Sequence, residues 1–255
     1  MLKVYSPSLC LSGFTSCYWT LTEQTEPVTE LVYPTGKIQI IFHYGLPFTD
    51  ISATGEIIRH PIYALCGQKR AYSNVMAHRG SGMIGVVLET EAAFRMLKLP
   101  LNEITGLIID LEDVLKEWGT YQCEFEECEN DESRIAVLEK FLLEINPTPP
   151  DIYDYFVRSC LDEIHHNNGL SLPKKSLEDF SLCERSMQRI LRERTGLSPK
   201  KYADIVRFGH AVNLLIETSC MTEAAHMAGF YDQPHFIKEF HRFTGLTPSA
   251  FLNIV

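Results

Sequence analysis

The sequence predicts two domains of different class. Residues 1–145 read as an α+β domain rich in β-structure, and residues 151–255 read as all-α, with two similar helical units joined by a linker helix. Three observations predict this. Short β-branched and aromatic runs bounded by Gly or Pro fill the first half. The segment "EINPTPPDIYD", Glu144 to Asp154, carries Pro147, Pro149 and Pro150, which cannot continue a helix and favour an extended connector. After it no convincing strand occurs, and a pattern repeats at an offset of 49 residues.

In chain order, "KIQIIFHYG", "HPIYALCGQ" and "GMIGVVLE" read as strands, whereas "ETEAAFRMLKL", "LIIDLEDVLKEW" and "ESRIAVLEKFLLEI" place apolar residues at three- and four-residue steps and read as helices. Beyond the prolines, helices are expected over 152–167, 174–180, 184–195, 199–217, 222–228 and 233–244.

The repeat sets "CERSMQRILRERTGLSPKKYADIV" over "DQPHFIKEFHRFTGLTPSAFLNIV". Met187 falls on Phe236, Leu191 on Phe240, Leu197 on Leu246, Tyr202 on Phe251, and Ile205-Val206 on Ile254-Val255. Thr-Gly-Leu stops a helix twice, with Gly196 and Gly245 free to adopt positive φ. Ser198-Pro199 and Thr247-Pro248 then supply an N-cap followed by proline at the first helical position. In the second unit Ala224, Ala225 and Ala228 permit close helix contact, Gly229 a sharp turn, and Asp232 a cap. This is the grammar of a helix-turn-helix.

At 100° per residue, Met187, Ile190 and Leu191 form one apolar face and Phe236, Phe240 and Phe243 the other. Arg185, Arg189 and Arg192 run down the opposite side of the first helix, with Gln188 beside them. Pro234, Lys238, His241 and Arg242 point outward from the second. One charged outer face is what any solvated helix shows. Two such faces, each after a turn, point to DNA.

Charge agrees once it is divided. The net charge of −10 argues against nucleic acid only as a total. Residues 1–150 hold 11 Lys and Arg against 20 Asp and Glu, whereas residues 151–255 hold 12 against 13. Between Arg185 and Arg207 seven basic residues face two acidic ones, a local +5. The connecting stretch "PKKYADIVRFGHAVNLLIE" is about 19 residues, roughly 28 Å of helix at 1.5 Å per residue. That would hold two recognition helices near the roughly 34 Å between successive major grooves.

These residues resemble the AraC/XylS-type transcriptional regulators, whose DNA-binding domain has two helix-turn-helix units on a linker helix. "AAHMAGFYDQPHFIKEFHRFTGLTPSAF" carries the similarity best, and "SLCERSMQRILRERTGLSPKKYADIVRFGHAVNLL" follows it from Leu182 onward. The first scaffold helix departs, with "KKSLEDF" where a Leu-Ala pair is usual, and Cys183 stands where Ser or Thr usually caps. By motif position the resemblance implies base-reading residues Arg185, Gln188 and Arg189 in one helix and Gln233, Pro234 and Lys238 in the other. Ser186, Arg192, His235, His241 and Arg242 are flanking or phosphate-contacting candidates. Pro234 cannot make a bidentate contact, which makes the second helix the weaker reader. The first half resembles the sensor or dimerisation regions of such regulators, and its fold is expected to be cupin-like. The partners implied are double-stranded DNA, a small-molecule effector, a second copy of the chain and RNA polymerase.

Other chemistry finds little support. There is no HxH, HExxH, GxSxG or CxxC, so His43, His60, His78, Cys66 and Glu56 are expected to be structural rather than metal ligands. The eight scattered cysteines read as reduced thiols. No signal peptide or membrane-spanning run is read, and a cytoplasmic protein without catalytic residue, metal or cofactor is expected. Tyr33, Phe42, Tyr44, Phe48, Tyr63 and Tyr72 are candidates for an apolar ligand pocket. The alternative reading makes the first half an enzyme or a protein-interaction module, with DNA binding as an accessory activity.

Overall fold

A computed structural model describes residues 2–21, 24–145 and 147–254. Asn146 in the proline segment and Val255 at the end of the repeat lie outside the described residues.

Two antiparallel sheets build the first half. Strands β1 (Leu2–Tyr5), β2 (Thr15–Leu21), β4 (Ile38–His43), β7 (Tyr63–Cys66), β9 (Met83–Leu88) and β10 (Ile108–Asp110) form one, in the order β1-β2-β9-β4-β7-β10. Strands β3 (Val28–Val32), β5 (Thr49–Ser52), β6 (Ile57–Arg59) and β8 (Ser73–Ala77) form the other, in the order β3-β8-β5-β6.

Alternation decides what each face of the larger sheet meets. Ile38, Ile40 and Phe42 of β4, with Ile84, Val86 and Leu88 of β9, turn outward and pack under Trp118, Phe125, Leu138 and Phe141. Trp118 lies 4.6 Å from the ring of Phe42 and 5.2 Å from that of Phe141. Helices α1 (Thr90–Leu97), α2 (Leu101–Ile104), α3 (Gln122–Glu126) and α4 (Asp131–Glu144) supply this cover together with two 3-10 turns. Leu21, Ile41 and Met83 alternate to the inner face, which looks toward the smaller sheet. Gly85 leaves room there for Trp19, whose ring would lie 2.2 Å from an added Cβ.

The expected strands and most expected helices are present. The segment "LIIDLEDVLKEW" is not a helix: Ile108–Asp110 pair antiparallel with β7, and 3-10 turns cover Leu111–Asp113 and Lys116–Thr120. The reason is local. The Asp110 side chain accepts from the Glu112 backbone N–H and caps a short turn, while Ile108 and Ile109 complete a sheet edge.

The second half is helical: α5 (Ile152–His166), α6 (Lys175–Asp179), α7 (Glu184–Thr195), α8 (Pro199–Thr218), α9 (Met221–Met227), α10 (Gln233–Thr244) and α11 (Pro248–Leu252). The expected stops and starts are in place. Gly196, Gly229 and Gly245 have φ of 81°, 70° and 72°. Ser198, Asp232 and Thr247 each cap through the side chain, with proline inside the first turn. α8 unites the units: its Phe208 stacks on Phe243 at 4.4 Å and meets Phe240 edge-on at 5.3 Å. No helix among the described residues is long and apolar enough to cross a membrane.

The two halves are packed together. α1 and α2 lie against α7. The Thr105 hydroxyl donates to the Gly196 carbonyl at 2.9 Å. Tyr33 meets Phe208 and Phe251 edge-on, at 5.5 and 6.4 Å. Tyr72 covers Gly245, where an added Cβ would fall 2.3 Å from its ring. Gly245→Ala is therefore expected to cost about 1–2 kcal/mol from the left-handed backbone alone. The steric part can be relieved by swinging Tyr72 away. Urea melts of G245A and of G245A/Y72A check this, with part of the loss persisting in the double variant.

Candidate nucleic-acid interface

α7 is amphipathic as its spacing dictates. Met187, Ile190 and Leu191 are buried against the helical core. Arg185, Gln188, Arg189 and Arg192 are exposed, and Ser186 is half-buried with its hydroxyl 3.4 Å from the Cys183 thiol. Cys183 occupies the N-cap but makes no side-chain bond to the helix N–H groups. Arg189 remains extended toward solvent, 65% exposed, with Glu193 at 3.4 Å. Facing this row across a shallow groove are Pro100, Asn102 and Glu103 from the start of α2.

Arg194, counted in the basic stretch, does not belong to the outer face. Its side chain is 9% exposed, and its Nη2 is 2.6 Å from Asp151 Oδ2. It also bonds the buried Asp154 carboxylate and lies over the Phe94 ring of α1, 4.6 Å from the centroid. Both carboxylates compensate it internally. The hydrogen bonds from Arg194 hold the Asp151 carboxyl below its usual range, outweighing the opposing effect of partial burial.

α10 repeats the plan. Asp232 Oδ1 accepts from the His235 backbone N–H at 2.8 Å, which fixes where the helix begins. Phe236 and Phe240 are fully buried and Phe243 nearly so. Pro234, His235, Lys238, His241 and Arg242 are exposed, and Gln233 is half-buried. Arg242 is engaged within the chain: its Nη2 is 2.6 Å from Glu239 Oε2, and its guanidinium lies 4.3 Å above the Phe243 ring. Ile237, which the sequence reading passed over, is half-buried and lines a shallow groove with Pro234, Lys238 and His241. The repeat could have found it, because Ile237 lies 49 residues after Gln188.

Between the two sheets lies a cavity of about 630 Å³. Trp19, Leu21, Ile41, Phe48, Val75 and Met83 give it an apolar wall, and Asp50, His60 and Lys69 a polar one. Asp50 is buried. Burial alone would raise its pKa, but His60 and the Lys69 ammonium, 2.7 Å from Oδ2, together bring it down to about 2. His60 is buried with its Nε2 3.9 Å from Asp50 Oδ2, too far for a hydrogen bond, and neither ring nitrogen has another partner at hydrogen-bond distance. Of the six aromatics expected to line a pocket, Tyr33, Phe48 and Tyr72 do so. Phe42 and Tyr63 face the other way, into the Trp118 cluster, because strand alternation turns them out. Tyr44 also packs against that outer core, its hydroxyl donating to the Leu21 carbonyl at 3.1 Å. Tyr33, Tyr72 and Thr105 are at once cavity wall and contacts to the helical half.

Residues 178–254 match a family model described as a helix-turn-helix domain, and residues 3–110 match a domain of unknown function (DUF6597). The chain is 38% identical over 66 residues to the HTH-type transcriptional activator RhaS of Shigella boydii serotype 18, covering 26% of this chain and 24% of that protein. The RhaS of Salmonella arizonae is 39% identical over 66 residues, with the same coverage. The chain thus spans about a quarter of the length of these curated relatives. Among solved structures, ToxT from Vibrio cholerae aligns over 100% of this chain and 98% of its own, at 10% identity and a TM-score of 0.49.

Proposed function

We propose that the chain, whose residues 178–254 match a helix-turn-helix domain model, is a sequence-specific DNA-binding transcription regulator of the AraC/XylS type that reads two adjacent major-groove segments. The observation that carries this reading is the pair of outward faces on α7 and α10. Each follows a tight turn, each is backed by a buried apolar stripe, and both are fixed to the single helix α8. We divide the chain functionally at the proline segment, with the DNA-binding domain from residue 151 and a sensor or dimerisation domain over residues 1–145.

In α7, Arg185 and Arg189 suit bidentate bonds to guanine, and Gln188 to adenine. Arg192 and Ser186 flank them toward the phosphates. In α10, Lys238, His235 and His241 are free to meet phosphate, with Gln233 and Pro234 at the entry to the helix. Arg242 would first have to leave Glu239. The cavity between the sheets is the site for a small-molecule effector, with Asp50, Lys69 and His60 among the polar groups set beside its apolar wall. Homodimerisation and contact with RNA polymerase fit this role.

Arg189→Ala is the direct test. The side chain is exposed, so the fold should persist. Affinity for a duplex selected from a random library should fall about 10- to 100-fold, the size of one lost bidentate contact. Fluorescence anisotropy at fixed salt measures it, and wild-type affinity should itself drop steeply as salt rises. Unchanged affinity in R189A would remove α7 from the reading role.

A further inference from the structure

The 49-residue offset superposes two quartets of side chains. Arg185, Gln188, Arg189 and Arg192 of α7 correspond to Pro234, Ile237, Lys238 and His241 of α10. Each quartet runs at i, i+3, i+4 and i+7, one face of a helix. The α7 quartet lines a groove whose other wall is Pro100, Asn102 and Glu103 of the first half, and the α10 quartet lines a shallow groove of its own. The two units therefore offer the same four positions to whatever they meet, filled with different chemistry.

In α7 all four positions carry hydrogen-bonding groups, and three are guanidinium forks. In α10 the first two positions have no side-chain donor or acceptor. Pro234 is exposed; Ile237, about 60° round the helix from Phe240 at the border of the buried face, is partly exposed and shares its groove with Pro234, Lys238 and His241. The fold leaves part of this β-branched side chain in water at the position that corresponds to Gln188 of α7. The major groove of B-DNA presents one apolar group to such a surface, the 5-methyl of thymine. Lys238 and His241, on the same face, are placed to hold the backbone around it.

Resting on the DNA-reading role proposed above, we infer that Pro234 and Ile237 recognise thymine methyl groups, so that the site this chain reads is chemically asymmetric. The segment under α7 is specified by hydrogen bonds to purines. The segment under α10 is specified by apolar contact with thymine. Gln233, one turn position earlier and half-buried, is not the principal base reader of α10.

The experiment uses the full chain and its best duplex selected from a random library. Each thymine is replaced singly by deoxyuridine, which removes only the methyl. Within the segment protected by α10, one or two replacements should weaken binding about three- to fivefold each, the loss expected for one buried methyl. Under α7 the same replacements should have no effect. I237A should bind thymine and uracil duplexes equally. I237Q, which installs the residue α7 carries at that position, should shift the preferred base there toward adenine. If no sequence is enriched at all, the DNA-reading role fails and this inference falls with it. If a sequence is enriched but every thymine tolerates uracil, or I237A retains the methyl preference, the role stands and the inference alone is overturned.

Discussion

Arg194→Met should lower the unfolding free energy by about 3–5 kcal/mol, the cost of removing one partner from a buried ion pair. The loss arises from what remains. Asp154 has a side chain only 9% exposed and would be left as an uncompensated carboxylate under the start of α5. Asp151, with half its side chain in water, would lose much less. The substitution also lifts a cation from the Phe94 ring, so the contact between α7 and α1 loosens together with the cap of α5. Urea-induced unfolding followed by circular dichroism measures the effect. R194M/D154N, which removes both charges, should recover a large part of the stability. If the single variant loses less than 1 kcal/mol, the Arg194 cluster is not a structural joint between the halves.

Acid should destabilise the β-rich half well before ordinary carboxylates titrate. His43 is 2% exposed with both ring nitrogens unpartnered. Burial, reinforced by the neighbouring His60, lowers its pKa from 6.5 to about 3. A depressed histidine pKa means that the unfolded chain binds a proton that the folded chain refuses. The stability that neutral His43 permits is full above pH 6.5 and is lost as pH falls from 6.5 toward 3, by an amount on the order of 5 kcal/mol. Below about 4 the Asp50 contribution is lost in the same direction, since its folded pKa is held near 2. Trp19 and Trp118, both in this half, give a fluorescence signal specific to it. H43F should flatten the limb between pH 6.5 and 4 and raise stability at neutral pH by removing two unsatisfied buried nitrogens. An unchanged acid limb in H43F would assign it to other groups.

The helical half was legible because its determinants are local. Gly196 and Gly245 end helices, Ser198, Asp232 and Thr247 begin them, and the phenylalanine spacing fixes which side faces inward. Each of these signals acts within one or two turns of chain. The β-rich half was legible only where strands are strongly apolar, as in "KIQIIFHYG". Strands such as "TDIS" and "SNVMA" are defined by their partners across the sheet, and pairing partners far apart in sequence leave no periodic trace. The helical reading of "LIIDLEDVLKEW" failed for the same reason: its three- and four-residue steps are real, but β7 claims Ile108 and Ile109. At the candidate interface, the outward positions of α7 and α10 followed from geometry at 100° per residue. That Arg194 turns inward depends on Asp151 and Asp154, which the fold brings from far along the chain, whereas the Glu239–Arg242 pair is an i,i+3 contact that helical spacing already carries.

Tyr33, Tyr72 and Thr105 belong to two surfaces at once, bounding the cavity on one side and touching α8, Gly245 and Gly196 on the other. Thermodynamic reciprocity attaches to such shared side chains. Any molecule whose affinity for the cavity depends on where these three groups stand must bias the seating of the helical half, and a duplex that reseats the helical half must change that molecule's affinity by the same factor. The coupling needs no hinge and no unfolding, only a shift of three side chains that both surfaces share.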